Sequence, residues 1–85
     1  MQPIKRTYAA TGTYVIPLNT YGRVGFSYYA TKSVTVKPLA DKDLATSIID
    51  SITAGTGGVW AYPADAVAVV VASTNTDVII SQYGS

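Results

Sequence analysis

Five aspartates carry all the acidic chemistry of this chain of 85 residues, because glutamate, histidine and cysteine are absent. The sequence therefore offers no Ser-His-Asp or Cys-His triad, no thiolate nucleophile and no Cys- or His-bound zinc. No aspartate stands in the Asp-Thr/Ser-Gly context that would predict the carboxylate pair of an aspartic protease. We interpret each aspartate as a turn or cap residue and predict no enzyme activity, no metal site and no cofactor. They are Asp41, Asp43, Asp50, Asp65 and Asp77.

Two stretches carry part of the pattern of a ligand-binding loop. Residues 41–52 begin Asp-Lys-Asp, like a calcium loop, but Thr46 stands where that loop needs glycine and Ile52 where it needs glutamate. Residues 55–58, Gly-Thr-Gly-Gly, lack the Gly-Lys-Ser/Thr that completes a phosphate loop. We therefore predict an ordinary glycine-rich loop at residues 54–58.

Trp60 and Tyr62 are the aromatic residues best spaced for binding. They lie two residues apart, so on a strand they project from the same face. Such a pair can stack against a sugar ring or anchor a protein interface. The competing interpretation of Trp60 is ordinary packing in the core.

The composition favours contact with protein over contact with nucleic acid or membrane. Charged residues make up only 13% of the chain, against 48% hydrophobic residues, and the net charge is +1. The basic residues are scattered along the sequence, whereas a nucleic-acid binder usually clusters them. The longest apolar run, residues 66–72, is far shorter than the ~20 residues of a membrane-spanning helix. A small body with few charges is expected to bury part of its surface against protein.

The abundance of Tyr, Val and Thr predicts a mainly β protein, a small antiparallel β-sandwich or barrel. Residues 1–8 are predicted to be an N-terminal arm that either frays or lies on a neighbouring subunit, and residues 9–85 a single β-rich domain. Asn19 to Gly22 has the composition of a turn. Strands are predicted at residues 13–18, 23–29, 33–37 and 59–62.

Residues 42–52 have two interpretations. Helical spacing of the apolar residues, with an aspartate before them and Gly55 after them, favours a short helix. The enrichment in Ile and Thr favours instead a strand over residues 47–53. The apolar residues concerned are Leu44, Ala45, Ile48, Ile49 and Ile52.

The closing segment carries the main sequence argument for assembly. Residues 66–72 and 77–83 are predicted to form a hairpin that pairs Ala72 with Asp77. Both of its faces are substantially apolar, so both need cover, and the second must come from residues 41–52 or from another subunit. Left bare, this uncharged ribbon would be prone to aggregation, which predicts a homo-oligomer.

The C-terminal half also carries a sequence likeness to a known group of proteins. A Gly-rich loop leads into Val59-Trp60-Ala61-Tyr62-Pro63-Ala64-Asp65-Ala66, followed by Val-rich residues and Asn75-Thr76-Asp77-Val78-Ile79-Ile80. Over about residues 55–83 this resembles the small β-sandwich proteins of tailed-bacteriophage virions, especially head decoration (cement) proteins. The resemblance implies a virion component, often trimeric, that is made in the host cytoplasm and binds a capsid or tail surface. No functional residue is carried over from it.

We therefore predict a structural virion protein that binds and stabilises a phage capsid surface as a homo-oligomeric decoration protein, with a trimer favoured. Its partners would be further copies of itself and a major capsid protein or other virion protein. A carbohydrate- or ligand-binding β-module and a tail or accessory virion component are the alternatives. The candidate interface residues are Ile4, Lys5, Arg6, Tyr8, Trp60, Tyr62 and Tyr83.

Overall fold

The computed structural model describes residues 3–18 and 23–84, which are all-β. The described chain is 66% strand and contains no helix, which confirms the predicted mainly β, antiparallel class. The predicted turn at residues 19–22 lies outside the described residues. The strands are β1 (Ile4–Tyr8), β2 (Gly12–Pro17), β3 (Arg23–Leu39), β4 (Ile52–Trp60), β5 (Ala66–Val71) and β6 (Thr76–Gly84).

All six strands form one sheet that is folded over on itself. Its order is β1-β6-β3-β5-β2, and β4 pairs with β3. The two strands predicted at residues 23–29 and 33–37 are one continuous strand, β3. Its first half, up to Ala30, pairs with β6, and its second half, from Val34, pairs with β5. The sheet bends between these two halves and curls into a half-barrel.

The predicted hairpin between residues 66–72 and 77–83 is wrong. β5 and β6 are both antiparallel to β3, so they run in the same direction, one after the other, along the same strand. Val71 pairs with Val34 and Val78 with Ala30, so residues 72–77 bulge opposite residues 31–33. In this arrangement β5 lies between β3 and β2, and β6 lies between β3 and β1. Each strand therefore has a hydrogen-bonded neighbour on both edges, whereas an isolated hairpin would leave one edge of each strand open.

Hydrogen bonds join the bend of β3 at residues 31–33 to the segment between β5 and β6. The Thr31 hydroxyl oxygen accepts the Asp77 N–H at 3.0 Å. The Lys32 ammonium donates to the Thr74 carbonyl at 2.6 Å. Asn75 takes a positive φ of 56°, a conformation that asparagine tolerates better than most residues. Specific hydrogen bonds and the backbone conformation of Asn75 therefore stabilise the bend.

The core lies between the two halves of the folded sheet. Alternate residues of β3 point inward, as the period-two pattern predicts, and meet the apolar faces of β5, β6 and β2. The opposite face of β5 is buried as well, because Ala66 and Ala68 form a second cluster with Leu39. These two alanines are therefore covered within the chain and need no second subunit, while Val70, on the same face, is half-buried. The sequence had left cover by residues 41–52 and cover by another subunit as alternatives. The fully buried side chains of the main core include Ile16, Phe26, Val34, Val36, Val67, Val69, Val78 and Ile80.

The N-terminal segment is part of the sheet and not a detached arm. β1 pairs with β6 along its whole length, from Ile4 opposite Ile80 to Tyr8 opposite Thr76. Met1 and Gln2 lie outside the described residues. The prediction of an arm at residues 1–8 therefore does not hold from Ile4 onward.

The short helix predicted over residues 42–52 is not formed. Two successive turns occupy this stretch, with the Leu44 N–H donating to the Asp41 carbonyl and the Ser47 N–H to the Leu44 carbonyl. The Asp41 carboxylate accepts the Asp43 N–H at 2.9 Å, a local bond that competes with helix formation. Ile48 then forms a bridge with Leu39, so the segment closes a hairpin between β3 and β4.

The glycine-rich loop predicted at residues 54–58 is also wrong, because these residues lie within β4. Gly57 and Gly58 pair directly with Tyr29 and Tyr28 of β3. β4 ends at Trp60, two residues before the end predicted for that strand. The pairing to β3 is irregular between Tyr29 and Val34, where the sheet bends.

Candidate functional site

The loop between β3 and β4 exposes the apolar residues whose spacing predicted a helix. Leu44 is 52% exposed, and Ile48 and Ile49 are each 47% exposed. In the predicted helix these side chains would have faced the core. On the hairpin loop they face outward, and clusters of exposed apolar side chains of this kind often mark protein interaction sites.

A second loop, residues 61–65, lies beside the first. The Asp65 N–H donates to the Leu39 carbonyl at 2.9 Å, and the Lys42 N–H donates to the Asp65 carboxylate at 2.6 Å. Tyr62, on the same loop, is 65% exposed. A groove of about 410 Å³ runs between the two loops, lined by Ala40, Ile49, Pro63, Ala64 and Asp65. We call this groove, together with Leu44, Ile48 and Tyr62, the loop surface.

The surroundings of the loop surface are acidic. Asp41, Asp43, Asp50 and Asp65 all lie in its two loops or next to them, together with Lys42. The only ion pair within the described chain joins Lys42 to Asp43 at 3.6 Å, and an exposed pair of this kind adds little stability. The described residues hold no group of three or more carboxylates that could bind a metal ion.

The aspartates also shape the loops. The Asp50 carboxylate accepts the Ser51 N–H at 2.7 Å, and the carboxylates of Asp41 and Asp65 accept backbone N–H groups of the first loop. These bonds confirm the interpretation of Asp41, Asp50 and Asp65 as turn residues. The acidic groups are thereby held close to the apolar side chains by short local contacts.

The Trp60–Tyr62 pair does not form a flat platform. Trp60 pairs directly opposite Phe26 and packs against the core, as the core-packing interpretation predicts. The rings of Trp60 and Tyr62 meet edge to face, with centroids 5.3 Å apart and planes at 68°. A sugar ring stacks on an exposed aromatic face, and of these two residues only Tyr62 is exposed, whereas Trp60 is half-buried.

The candidate residues of β1 divide between the core and the surface. Ile4 and Tyr8 pack against the core, whereas Lys5 and Arg6 are exposed. Tyr8 stacks on Tyr14 with centroids 4.0 Å apart. Burial raises the pKa of Tyr8, and this outweighs the lowering by the charge of Arg6. The Tyr83 side chain lies outside the described part of the structure.

A second exposed apolar surface lies on the outer face of the sheet, and the sequence reasoning missed it. Tyr29 is 57% exposed and Val59 is 65% exposed. Their direct partners are Gly57 and Ser27, which places them diagonally on one face of β3 and β4. Next across the sheet come half-buried Ile79, opposite Tyr29, and exposed Lys5, opposite Ile79. We call Tyr29, Val59, Ile79 and Lys5 the sheet surface.

The alternation of β3 contained the signal for this surface. Strand periodicity separates Tyr29 from Phe26 and Tyr28, and the structure confirms that separation. The sequence did not predict which strand pairs with this part of β3. Val59 lies beside Tyr29 only because β4 pairs with β3.

Comparison with known proteins identifies no relative. No family model, no curated protein and no solved structure matches the chain. In the part of the chain that the structure describes, no helix is long and apolar enough to cross a membrane. The function is therefore argued from the two surfaces themselves.

Tyr28 provides a test of the core beside these surfaces. The residue is buried, and its hydroxyl has no hydrogen-bond partner among the described residues. An unpaired hydroxyl in an apolar core costs about 1–3 kcal/mol. We expect Tyr28→Phe to raise the free energy of unfolding by about 1 kcal/mol in urea denaturation. Tyr62→Phe, at an exposed position, is the matched control and should leave stability unchanged.

The pH dependence of the free energy of unfolding, compared between Tyr28→Phe and the wild type, provides a second test of the buried hydroxyl. Burial raises the pKa of Tyr28 above the ordinary tyrosine value of 10.0. The unfolded chain therefore loses this proton first, and the wild type loses stability as the pH rises above about 10. Tyr28→Phe should reduce that loss without abolishing it, because the pKa of Tyr8 is also raised. A variant less stable than the wild type at neutral pH would contradict the unpaired hydroxyl.

Proposed function

We propose that this protein is a structural virion component, a decoration protein that binds and stabilises the surface of a phage capsid as a homo-oligomer. The observation that carries the proposal is the loop surface. Leu44, Ile48, Ile49 and Tyr62, on two neighbouring loops, are each about half exposed or more, and Ile49 lines the groove of about 410 Å³ between these loops. Exposed apolar side chains on loops beside a groove are suited to contact with another protein.

The loop surface is preorganised for binding. The Ala40 N–H donates to the Ser47 carbonyl at 2.8 Å, and the Ser47 hydroxyl donates to the Leu44 carbonyl at 2.6 Å. The Lys42 N–H bond to Asp65 ties this loop to its neighbour. Loops already held in place lose less conformational entropy when a partner docks, and more of the contact energy then appears as affinity.

A capsid is a repeating surface, which suits a small protein with a modest contact. One copy offers only a few anchor side chains, so a single contact is expected to be weak. An oligomer that engages several capsid subunits at once gains avidity through high effective concentration. The assignment to a phage head, and the preference for a trimer, rest on the resemblance of residues 55–83 to decoration proteins.

Two alternative functions are a carbohydrate-binding module and a tail or accessory virion component. A carbohydrate-binding module would need an open aromatic platform, and the edge-to-face geometry of Trp60 and Tyr62 does not supply one. A tail or accessory virion component would use the same loop surface on a different partner. Localisation to the virion and binding to a major capsid protein are thus part of the proposal.

Cosedimentation tests the proposal, with capsids of the phage that encodes this chain, prepared without the decoration protein. The wild type should bind saturably, and the double variant Leu44→Ser with Ile48→Ser should bind at least about 10-fold more weakly, because it removes two apolar anchors. Val15→Ser is the control, since Val15 is an exposed apolar residue of β2 outside the loop surface. Circular dichroism checks that each variant is folded. Wild type that stays in the supernatant, or a double variant that binds equally well, would contradict the proposal.

A further inference from the structure

We infer that two copies of this chain pair edge to edge through β4, antiparallel, with Gly58 of one copy opposite Gly58 of the other. The pairing joins the two sheets across a two-fold axis. The inference rests on the homo-oligomer of the proposed function and names the strand that builds it. Three observations support it: an open edge without protection, a glycine that packing within the chain does not require, and exposed apolar side chains beside that glycine.

The free edge of β4 is the first observation. Among the described strands, β4 pairs with β3 alone, so the backbone groups on its other side face no strand. Unpaired N–H and C=O groups along an edge are a template for pairing with another chain. The strand is nine residues long, which is ample for a ladder with a second copy.

The two edges of the sheet differ in their protection against such pairing. The opposite edge consists of β1, which carries exposed Lys5 and Arg6, and β2, which ends at Pro17. Charged side chains and proline are common means by which proteins keep an edge from pairing. β4 contains neither a charged residue nor a proline. Of the edges that a second copy offers, its own β4 is therefore the suitable partner, and self-pairing brings no like charges together.

Gly57 is the second observation, because nothing in its own chain explains the missing side chain. A Cβ at Gly57 would meet only the Tyr28 carbonyl oxygen, at an ordinary 3.5 Å, whereas a Cβ at Gly58 would collide with the Tyr28 ring. Glycine inside a strand often marks a place where another backbone approaches closely. Gly57 lies opposite Tyr29, on the outer face of the sheet and next to the free edge.

The exposed apolar side chains on this face indicate the register. Tyr29 is 57% exposed and Val59 is 65% exposed. When Gly58 lies opposite Gly58, Val59 of the second copy lies opposite Gly57, which in turn lies opposite Tyr29. Neighbouring strands are about 4.8 Å apart, and a tyrosine ring can reach across a residue that has no side chain. The two-fold axis repeats this contact, so both copies cover both exposed side chains.

Neighbouring registers lose this contact or shorten the ladder. If Gly57 lies opposite Gly57, Val59 of the second copy moves to Gly55 and away from the tyrosine. If Val59 lies opposite Val59, only residues 58–60 of β4 overlap. A shift that exchanges the two faces would bring the outer valine against inward residues. The register centred on Gly58 therefore combines a ladder with burial of the outer apolar side chains.

The pairing leaves the first loop of the loop surface available. Leu44, Ile48 and Ile49 lie on the loop that leads into the start of β4, whereas the proposed ladder uses residues 56–60 at the other end. A dimer thus presents two such loops, which suits avid binding to a repeating capsid. Because the contact is two-fold, it builds a dimer in place of the trimer that the resemblance implies.

Sedimentation velocity and native mass spectrometry test the inference through Val59. The wild type should form a dimer. Val59→Lys and Val59→Glu should each dimerise at least about 10-fold more weakly, because the apolar contact is lost and like charges come to diagonal positions about 7–8 Å apart. An equimolar mixture of the two variants should form a heterodimer, since unlike charges then occupy those positions. Such recovery requires the two residues 59 to be close neighbours.

Two controls accompany these variants, and circular dichroism verifies that all are folded. Val15→Lys makes the same charge change at an exposed valine of β2 and should leave the dimer intact. Leu44→Ser with Ile48→Ser should also leave it intact. A monomeric wild type, a dimer that tolerates both Val59 variants, or a mixture that stays monomeric would overturn the inference. Capsid cosedimentation is measured separately, so its failure with the dimer intact would overturn only the proposed function.

Discussion

Replacing Phe26 by alanine is expected to lower the free energy of unfolding by about 3–5 kcal/mol. Phe26 is fully buried in the core, where it lies between Trp60 of β4 and Gln82 of β6. Removing its ring forfeits the burial of a large apolar side chain and leaves a cavity that a hydrogen-bonded sheet cannot close. This is a large fraction of the stability of a typical small domain, about 5–15 kcal/mol.

Urea denaturation followed by circular dichroism measures this loss. Val15→Ala is the control, because Val15 is 38% exposed on the outer face of β2, and its cost should stay below about 1 kcal/mol. A Phe26→Ala variant that loses no more than the control would mean that the two halves of the sheet do not enclose a packed core. The measurement therefore tests the folded-over architecture on which both surfaces depend.

Substituting Gly58 by alanine is expected to cost about 1–3 kcal/mol through overpacking. A Cβ at this position would lie 2.8 Å from Cε1 of Tyr28 and 3.4 Å from Cγ2 of Ile52. The Tyr28 ring is buried and cannot move aside without disturbing its neighbours. The absence of a side chain at Gly58 therefore leaves room for the Tyr28 ring of β3 to pack over β4.

Gly57 supplies the matched control in the same strand. A Cβ at Gly57 would meet only the Tyr28 carbonyl oxygen, at 3.5 Å, which is an ordinary contact. Gly57→Ala should be neutral or slightly stabilising, because alanine has fewer unfolded conformations to lose. The cost of Gly58→Ala should also fall in a Tyr28→Val background, where the ring is gone. Equal costs at the two glycines would contradict the close packing of Tyr28 on β4.

Under the proposed function, a chain without catalytic histidine or cysteine acts through contact with another protein. Loops fixed by local hydrogen bonds present exposed apolar side chains, and the outer sheet face presents a second set. The cosedimentation experiment tests whether the first set contacts a capsid.

The amino-acid sequence by itself determined the class of the protein and which residues of a strand share a face. Alternation of apolar and polar residues is a local property with a period of two, so Phe26 and Tyr28 could be separated from Tyr29 before any pairing was known. Pro17, the last residue of β2, has no N–H to donate to a ladder, and this limit follows from the residue type alone. These features need no knowledge of distant parts of the chain.

The tertiary structure alone decided which strands pair and which residues remain exposed. β5 and β6 had the pattern of a hairpin, yet both pair with β3, because strand pairing is a choice among distant backbones that local pattern does not encode. Residues 42–52 had helical spacing, but carboxylate contacts and pairing to β3 made them a loop. The exposed Leu44 and Ile48, and the meeting of Tyr29 with Val59, follow from those choices. Long-range hydrogen bonding and burial thus created the surfaces that the proposed function uses.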